Sequence, residues 1–297
     1  MKTATAKVAV GFRNILFATD FSPAAARAIP YVKKIAKHYD AALVTLHVRT
    51  PVVNPMTEPA TWPTYLEAAK AQDEQHRKEL LDAFAGIPTQ VLIEEGSIQT
   101  CLEEAIEENN TDLVVIGTRG RTGVEKLLLG SVAEEIFRTV PCPVLTVGPR
   151  AFDSAGPADQ LREILYATDF SAASLKAAAY AVSLAQEFQS CLVLLHVISP
   201  QRPGDLVSAA DLTASSQELL RQVVPPEAQE RCRLEYHVVE GEVAEKILEF
   251  ASLREPDLIV LGVRQKEGVP GAASHLPVAT AHKVVSRASC PVLTIRH

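Results

Sequence analysis

The sequence predicts an α/β protein made of two tandem, doubly wound domains, each built on a five-stranded parallel sheet. Three observations carry this prediction. The chain has 297 residues, a length that favours about two domains. One unit of sequence occurs twice, and within each copy short apolar runs alternate with longer segments of helical period. We therefore expect a flavodoxin-like strand order in each half.

The repeat consists of three segments that return in the same order along the chain. They are ILFATDFS at 15–22 and ILYATDFS at 164–171, LVTLHV at 43–48 and LVLLHV at 192–197, and CPVLT at 142–146 and 290–294. A stretch with Pro149, Gly156 and Pro157 separates the copies and interrupts any periodic pattern. The predicted domains are therefore residues 1–150 and 160–297.

Each half contains short apolar runs that predict strands. These are 14–18, 41–48, 90–94, 112–116 and 143–147 in the first half, and 163–167, 191–197, 233–239, 257–261 and 291–295 in the second. The first helix is expected from Ser22 to Lys37, because Ser22 suits an N-cap and Pro23 suits the first helical position. Another helix is expected from Leu66 to Phe84. The alternation predicts parallel sheets that are covered on both faces.

Composition and charge argue against several classes of function. The net charge is −7 and the pI is about 5.7, so the chain as a whole attracts neither nucleic acid nor anionic lipid. The apolar runs fall far short of the roughly 20 residues of a membrane span, and the N-terminus lacks a signal-peptide pattern. Five scattered cysteines without C-x-x-C argue against a disulfide framework and a zinc site. We expect a cytoplasmic protein without a membrane or nucleic-acid partner.

A glycine-rich segment gives the strongest indication of function. It reads G-x2-G-x9-G-S, from Gly117 and Gly120 to Gly130 and Ser131, and it directly follows the apolar strand at 112–116. Doubly wound sheets bind ligands at the carboxyl ends of their strands, and glycines let the backbone approach a ligand. Gly130 and Ser131 open a helix whose free N–H groups can hold phosphate.

Two interpretations of this loop are open on the pattern alone. In the first, the loop binds the phosphates of a nucleotide, and Arg119 and Arg121 supply positive charge. In the second, it is a glycine-rich connection that Ser131 caps, without any ligand. The segment matches neither the G-x-G-x-x-G of dinucleotide folds nor a Walker P-loop.

Several of these segments together resemble the universal stress protein family, over nearly all of the chain. They are ATDFS at 18–22, LHV at 46–48, the glycine-rich loop and CPV at 142–144. The resemblance implies an adenine-nucleotide α-hydrolase-like fold with an ATP site in the first half. It also implies that the last strands of the two halves, Val144 to Val147 and Val292 to Ile295, pair across a two-fold axis. One chain would then form an internal pseudo-dimer, and further association into a homodimer is left open.

The same resemblance assigns roles to individual residues of the first half. It places Asp20 and Val48 against ribose and adenine, and Ile116 beside the base. Ala18 stands where the family often has Val or Pro, at a minor contact. The phosphate and ribose contacts that it implies are Gly117, Gly120, Gly130, Ser131 and Val132.

The matching loop of the second half lacks the features of a phosphate site. It begins GVRQ at 262–265, and Val278 and Ala279 stand where the first half has glycine and serine. The side chain of Gln265 obstructs close approach, Ala279 has no hydroxyl, and Pro277 stiffens the loop. We therefore expect one nucleotide site per chain.

Other polar residues of the repeat are interpreted as structural. Asp169, together with Val197, is attributed to the fold rather than to a second ligand. His47 and His196 occupy matching positions on apolar strands and are interpreted as sheet-end histidines rather than metal ligands. The sequence predicts neither a metal site nor a catalytic residue.

Three classes of function fit these observations. The leading hypothesis is a regulatory module of the stress response that binds ATP, with or without Mg²⁺, and whose occupancy alters contacts with protein partners. The second is a slow ATP hydrolase or phosphotransferase that uses Asp20 to position Mg²⁺ or water. The third is an interaction protein without a nucleotide. Because the sequence lacks paired acidic ligands, at most weak ATPase activity is expected.

Overall fold

Strands and helices alternate in both halves. The computed structural model describes residues 10–49, 62–118, 133, 136, 140–148, 151, 161–200, 208–229, 232–263 and 276–296, without the side chains of 62–66, 209 and 276–279. The elements of the first half are β1 (Asn14–Ala18), α1 (Pro23–Ala26), α2 (Ile29–Tyr39), β2 (Ala42–Arg49), α3 (Trp62–Ala83), β3 (Thr89–Glu95), α4 (Ile98–Glu108), β4 (Leu113–Gly117) and β5 (Val144–Val147). Those of the second half are β6 (Glu163–Thr168), α5 (Ala172–Phe188), β7 (Cys191–Ile198), α6 (Ala209–Val223), α7 (Pro226–Gln229), β8 (Arg233–Glu240), α8 (Val243–Arg254), β9 (Leu258–Val263), α9 (Leu276–Arg287) and β10 (Val292–Arg296). Among the helices of these residues, none combines the length and the apolar character that a membrane span requires.

The ten strands form one sheet in the order β3-β2-β1-β4-β5-β10-β9-β6-β7-β8. Neighbouring strands within each half are parallel, whereas β5 and β10 pair antiparallel. The predicted tandem of doubly wound units and the pairing of the last strands are thereby confirmed. Leu145 lies opposite Leu293, its own equivalent in the repeat, so the pseudo-two-fold axis passes between these residues.

The expectation of a flavodoxin-like strand order is wrong. Each half has the order 3-2-1-4-5, with β2 and β3 on one side of β1 and the last two strands on the other, whereas flavodoxin has 2-1-3-4-5. The chain therefore reverses direction only after β3. Because crossovers between parallel strands are right-handed, the helices before the reversal cover one face and those after it cover the other. Periodicity locates strands but does not say which strands are neighbours.

Two apolar layers cover the sheet, one on each face. The first layer contains residues of α1, α2, α3, α5 and α6, such as Val32 and Ala181. The second contains residues of α4, α8 and α9, such as Leu102 and Ile247. Each layer includes residues from both halves, so the core continues across the β5–β10 pair.

The single helix expected from Ser22 to Lys37 is two helices, α1 and α2. Pro30 lies in the first turn of α2. It has no N–H to donate, and its ring would clash with the carbonyl of Ala26 in a continuous helix. The second half has Ala179 at the matching position, and the corresponding helix α5 is unbroken.

Side chains of α2 and α5 join the two halves away from the central strands. Glu187 of α5 accepts a hydrogen bond from the hydroxyl of Tyr39 at 2.6 Å and lies 3.0 Å from Nε2 of His38. The ring of His38 stacks on Phe188, with centroids 4.2 Å apart. Burial, and after it the hydrogen bond and the charge of Glu187, raises the pKa of Tyr39 well above its usual range.

Candidate functional site

The carboxyl ends of β1, β2 and β4 lie side by side at one edge of the sheet. Ala18 lies opposite Leu46 of β2 on one side and opposite Ile116 of β4 on the other. The chain leaves β1 towards β2 and leaves β4 towards β5, so the ends of β1 and β4 form the switch point of the first half. Doubly wound sheets bind their ligands in the crevice at this point.

Three of the predicted residues form an apolar wall beside this crevice. Ile116 is buried, whereas Ala18 and Val48 are half-buried. All three belong to the second apolar layer or pack against it, so they lie on the same face of the sheet. Such a wall can pack against a flat apolar ring.

Asp20 belongs to a tight turn between β1 and α1, residues 18–22, which we call the first strand-end turn. The hydroxyl of Thr19 accepts a hydrogen bond from the backbone N–H of Phe21 at 3.1 Å. Oδ1 of Asp20 accepts one from the backbone N–H of Ser22 at 2.9 Å. The Ser22 hydroxyl then caps α1, as predicted, by accepting from a backbone N–H in its first turn. These bonds hold the Asp20 carboxylate at the strand ends.

Phe21 supports this turn from the first apolar layer. Its φ of 59° is unusual for a bulky residue and costs about 1–2 kcal/mol. Its ring stacks on the ring of His76 of α3, with centroids 3.8 Å apart, and meets the ring of His47 edge-on, with centroids 4.9 Å apart. Nδ1 of His47 donates to the carbonyl of Thr19 at 2.8 Å. The sequence analysis missed His76, whose one signal is its position a helical turn before the core residue Leu80.

The second half repeats the turn at residues 167–171, the second strand-end turn. Oδ1 of Asp169 accepts from the backbone N–H of Ser171 at 3.0 Å, and Phe170 again has a φ of 59°. Nδ1 of His196 lies 2.8 Å from the carbonyl of Thr168, as in the first half. The turn is thus present even though the loop after β9 lacks the glycine pattern.

Hydroxyl groups beneath the second strand-end turn satisfy one another. The Tyr166 hydroxyl donates to the carbonyl of Ser174 at 2.6 Å. The Thr168 hydroxyl donates to that of Ser174 at 3.1 Å, which in turn donates to the carbonyl of Ser171 at 2.9 Å. The matching residues of the first half are Phe17, which has no hydroxyl, and Ala25. These hydroxyl groups of the second half are therefore hydrogen-bonded within the protein.

A glycine at the end of β4 and one near the end of β9 each make room for a helix. A Cβ on Gly117 would lie 2.8 Å from the carbonyl oxygen of Ala24 in α1. A Cβ on Gly262 would come closer still to backbone atoms of Ala173 and Ser174 in α5. The space beside Gly117 that the sequence analysis attributed to a ligand is thus filled by α1 on the Cβ side.

Other predicted residues lie beyond the described part of the chain. These are Gly120, Gly130, Ser131 and Val132, with Arg119 and Arg121, and in the second half Gln265. Val278 and Ala279 fall within α9, and their side chains are not described. Pro277, which was expected in the loop, is the second residue of α9, where a helix accepts proline because its first N–H groups need no intrahelical partner.

The two cysteines that precede β5 and β10 are held in the thiol form. Burial raises the pKa of the Cys142 and Cys290 thiols to about 12, so they stay protonated at neutral pH. Within the described residues, no three His, Cys, Asp or Glu side chains form a group that could hold a metal ion. An apolar wall beside a fixed carboxylate suits a ligand that has both a flat ring and hydroxyl groups.

The fold and the repeated strand-end turn define a tandem, doubly wound α/β protein. The family model described as "Universal stress protein family" matches residues 11–148 and again residues 160–296. The chain therefore belongs to the universal stress protein family and carries two copies of its characteristic unit.

Similar proteins match either one half or the whole tandem. A universal stress protein of Methanocaldococcus jannaschii is 31% identical over 140 residues, which are 46% of this chain and 82% of the relative. One of Thermus aquaticus is 36% identical over 140 residues, which are 46% of this chain and 98% of the relative. The crystal structure of a universal stress protein from Archaeoglobus fulgidus matches 95% of this chain and 98% of its own, with 21% identity and a TM-score of 0.66. This last likeness supports the fold alone.

Proposed function

We propose that this chain is an ATP-binding module of the stress response, with one nucleotide site in its first half. The observation that carries the proposal is that the G-x2-G-x9-G-S segment begins at Gly117, where β4 ends beside Ala18 and the Asp20 turn. A glycine-rich segment that leaves a strand at the switch point and leads into a helix suits phosphate binding.

The proposal gives each group at this edge a role. Adenine packs on the apolar wall of Ala18, Val48 and Ile116, and Asp20 accepts hydrogen bonds from the ribose hydroxyls. ATP brings Mg²⁺ with it as a counter-ion when the metal is present. The groups assigned to the phosphates and the adjoining ribose are Gly117, Gly120, Gly130, Ser131 and Val132, with charge from Arg119 and Arg121.

Binding, rather than turnover, is the proposed activity. Phosphoryl transfer depends on metal ligands and on a group that orients the nucleophile. The carboxylate that the first strand-end turn presents is that of Asp20, and its Oδ1 is engaged by the N–H of Ser22. We propose that the occupied site changes the contacts of residues 1–150 with protein partners in the cytoplasm, while residues 160–297 bind no nucleotide.

The test is to release bound nucleotide from the purified chain by denaturation, identify it by mass spectrometry, and then titrate the emptied protein calorimetrically. ATP is expected at about one molecule per chain, with and without Mg²⁺. The titration includes AMP and also cAMP, which is the ligand of one solved universal stress protein that is 24% identical over 46% of this chain (TM-score 0.32).

Matched variants assign the site to one half. Asp20→Asn keeps the Oδ1 acceptor but removes the charge, and it should weaken ATP binding by about tenfold or more. Asp169→Asn makes the same change in the second half and should leave binding unaltered. Gly130→Val should abolish binding, whereas Gln265→Ala should not change it. Absence of ATP and of heat, or equal effects of the two Asp variants, would reject a nucleotide site in the first half.

A further inference from the structure

A buried hydroxyl at the end of β4 has no hydrogen-bond partner among the described residues. Thr118 follows Gly117 and is 1% exposed. Its backbone N–H is fixed to the carbonyl of Val147 at 3.1 Å. Its side-chain oxygen, Oγ1, makes no hydrogen bond in the described structure. A hydroxyl removed from water without a partner destabilises the folded chain, so a third component that supplies the missing partner would explain its presence.

The position of Thr118 places this hydroxyl at the candidate site. Side chains alternate between the two faces of a strand, so Thr118 continues the face of Ile116, whereas Gly117 faces α1. That face carries the apolar wall with Ala18 and Val48. The Thr118 hydroxyl therefore lies one step beyond the apolar wall, where β4 leaves the sheet.

The second half has a methyl group in place of this hydroxyl. Gly117 pairs with Val147, and Gly262 pairs with Ile295, so the register makes Val263 the equivalent of Thr118. Val263 is 3% exposed and belongs to the second apolar layer. The second half thus fills the position with an apolar side chain and leaves no polar group there to be satisfied.

We propose that Oγ1 of Thr118 hydrogen-bonds to a phosphate or ribose oxygen of the nucleotide, and that Val263 is one reason why the second half takes none. This inference rests on the proposed function of the first half. Thr118 is then a specificity-determining residue, because its hydroxyl gains a partner only in the complex.

A second unpaired hydroxyl in the described residues provides a matched control. Thr146 is also 1% exposed, and its Oγ1 likewise has no described partner. It lies within β5 and is enclosed by paired strands on both sides, beside Ile116 of β4 and Val292 of β10. Removing this hydroxyl takes away a second buried polar group without changing the group at the end of β4.

The experiment compares Thr118→Val, Thr118→Ser and Thr146→Val with the full-length wild type. The dissociation constant for ATP is measured by calorimetry, and the thermal midpoint is measured without nucleotide. Thr118→Val should bind ATP at least about tenfold more weakly, while Thr118→Ser, which keeps the hydroxyl, and Thr146→Val bind like the wild type. Without nucleotide, Thr118→Val should melt at the wild-type temperature or above it.

Three outcomes would count against the inference. If the wild type binds ATP and Thr118→Val binds it equally well, the contact is absent while the proposed function stands. If Thr118→Val without nucleotide melts below the wild type, the hydroxyl has a structural role instead. If the wild type binds no nucleotide, the proposed function fails and this inference fails with it.

Discussion

The two halves of the chain share a turn and differ in what surrounds it. Asp20 and Asp169 each accept the N–H of the serine two residues later, and in each turn the intervening phenylalanine has a positive φ. A feature that both halves need for passing from strand to helix is no evidence of a ligand. Two differences are informative. Thr118 carries a hydroxyl without a partner among the described residues, whereas the second half has Val263 at this position. The hydroxyl groups around Ser174, by contrast, are hydrogen-bonded within the second half.

A second difference lies at the opposite ends of the strands. In the second half Arg254 binds both carboxylate oxygens of Glu163, at 2.7 and 3.1 Å, and lies 2.9 Å from Glu235. The equivalent residues of the first half are Asn14, Gln90 and Asn109. At this end of the sheet the second half therefore has an ion cluster where the first half has three uncharged side chains.

The largest expected effect tests whether the strand-end glycines serve packing in both halves. Gly262→Ala should destabilise the chain by about 3 kcal/mol and Gly117→Ala by about 2 kcal/mol, because the new Cβ meets helix backbone that cannot rotate away. Denaturant unfolding measures both. Gly11→Ala is the control, since its Cβ would meet a single atom of Tyr39 at 4.0 Å. If both variants lose as little unfolding free energy as the control, α1 and α5 can move away from the new Cβ without cost.

A smaller effect tests the ion cluster that is found in the second half. Arg254→Met should cost about 1–2 kcal/mol at neutral pH, because two partly buried carboxylates lose their partner. Arg221→Met, which removes an exposed pair with Glu218 on α6, should cost almost nothing.

The effect of Arg254→Met should also depend on pH. Burial by itself would raise the pKa of Glu235, but the charge of Arg254 and the hydrogen bonds to the carboxylate outweigh it and hold the pKa below the usual glutamate range. A depressed folded-state pKa gives stability that is present above the unfolded pKa of about 4.3 and lost as pH falls through the folded value. The gap between wild type and variant should therefore narrow in acid. A gap that stays constant down to low pH would contradict this account.

The smallest expected effect concerns the contact between α2 and α5. Glu187→Gln should change stability by less than about 1 kcal/mol at neutral pH, because the pair is part-exposed. It should also lower the pKa of Tyr39. Burial alone should still hold this pKa above the usual tyrosine value. Since a raised tyrosine pKa gives stability that is lost as pH rises through the folded value, the variant should lose this contribution at lower pH than the wild type. Ultraviolet titration of tyrosinate measures the shift, and Tyr39→Phe identifies the transition. An unchanged titration would show that Glu187 does not hold Tyr39.

Much of the fold was predictable because its determinants are local. Alternating apolar runs located the strands, and Ser22 with Pro23 marked the start of α1. The repeat, with the family resemblance, anticipated the pairing of β5 with β10. Pro30 was a local signal that the helix breaks, and the sequence analysis did not use it.

What the sequence by itself determined is therefore the identity of the repeated unit and the position of its glycine-rich loop. The tertiary structure decided the 3-2-1-4-5 order, the packing of α1 against Gly117, the stacking of His76 on Phe21 and the isolation of the Thr118 hydroxyl. The physical reason is the distance along the chain over which each interaction acts. Propensity and capping act between residues a few positions apart, whereas strand order, close approach and hydrogen-bond satisfaction depend on residues that only the folded chain brings together.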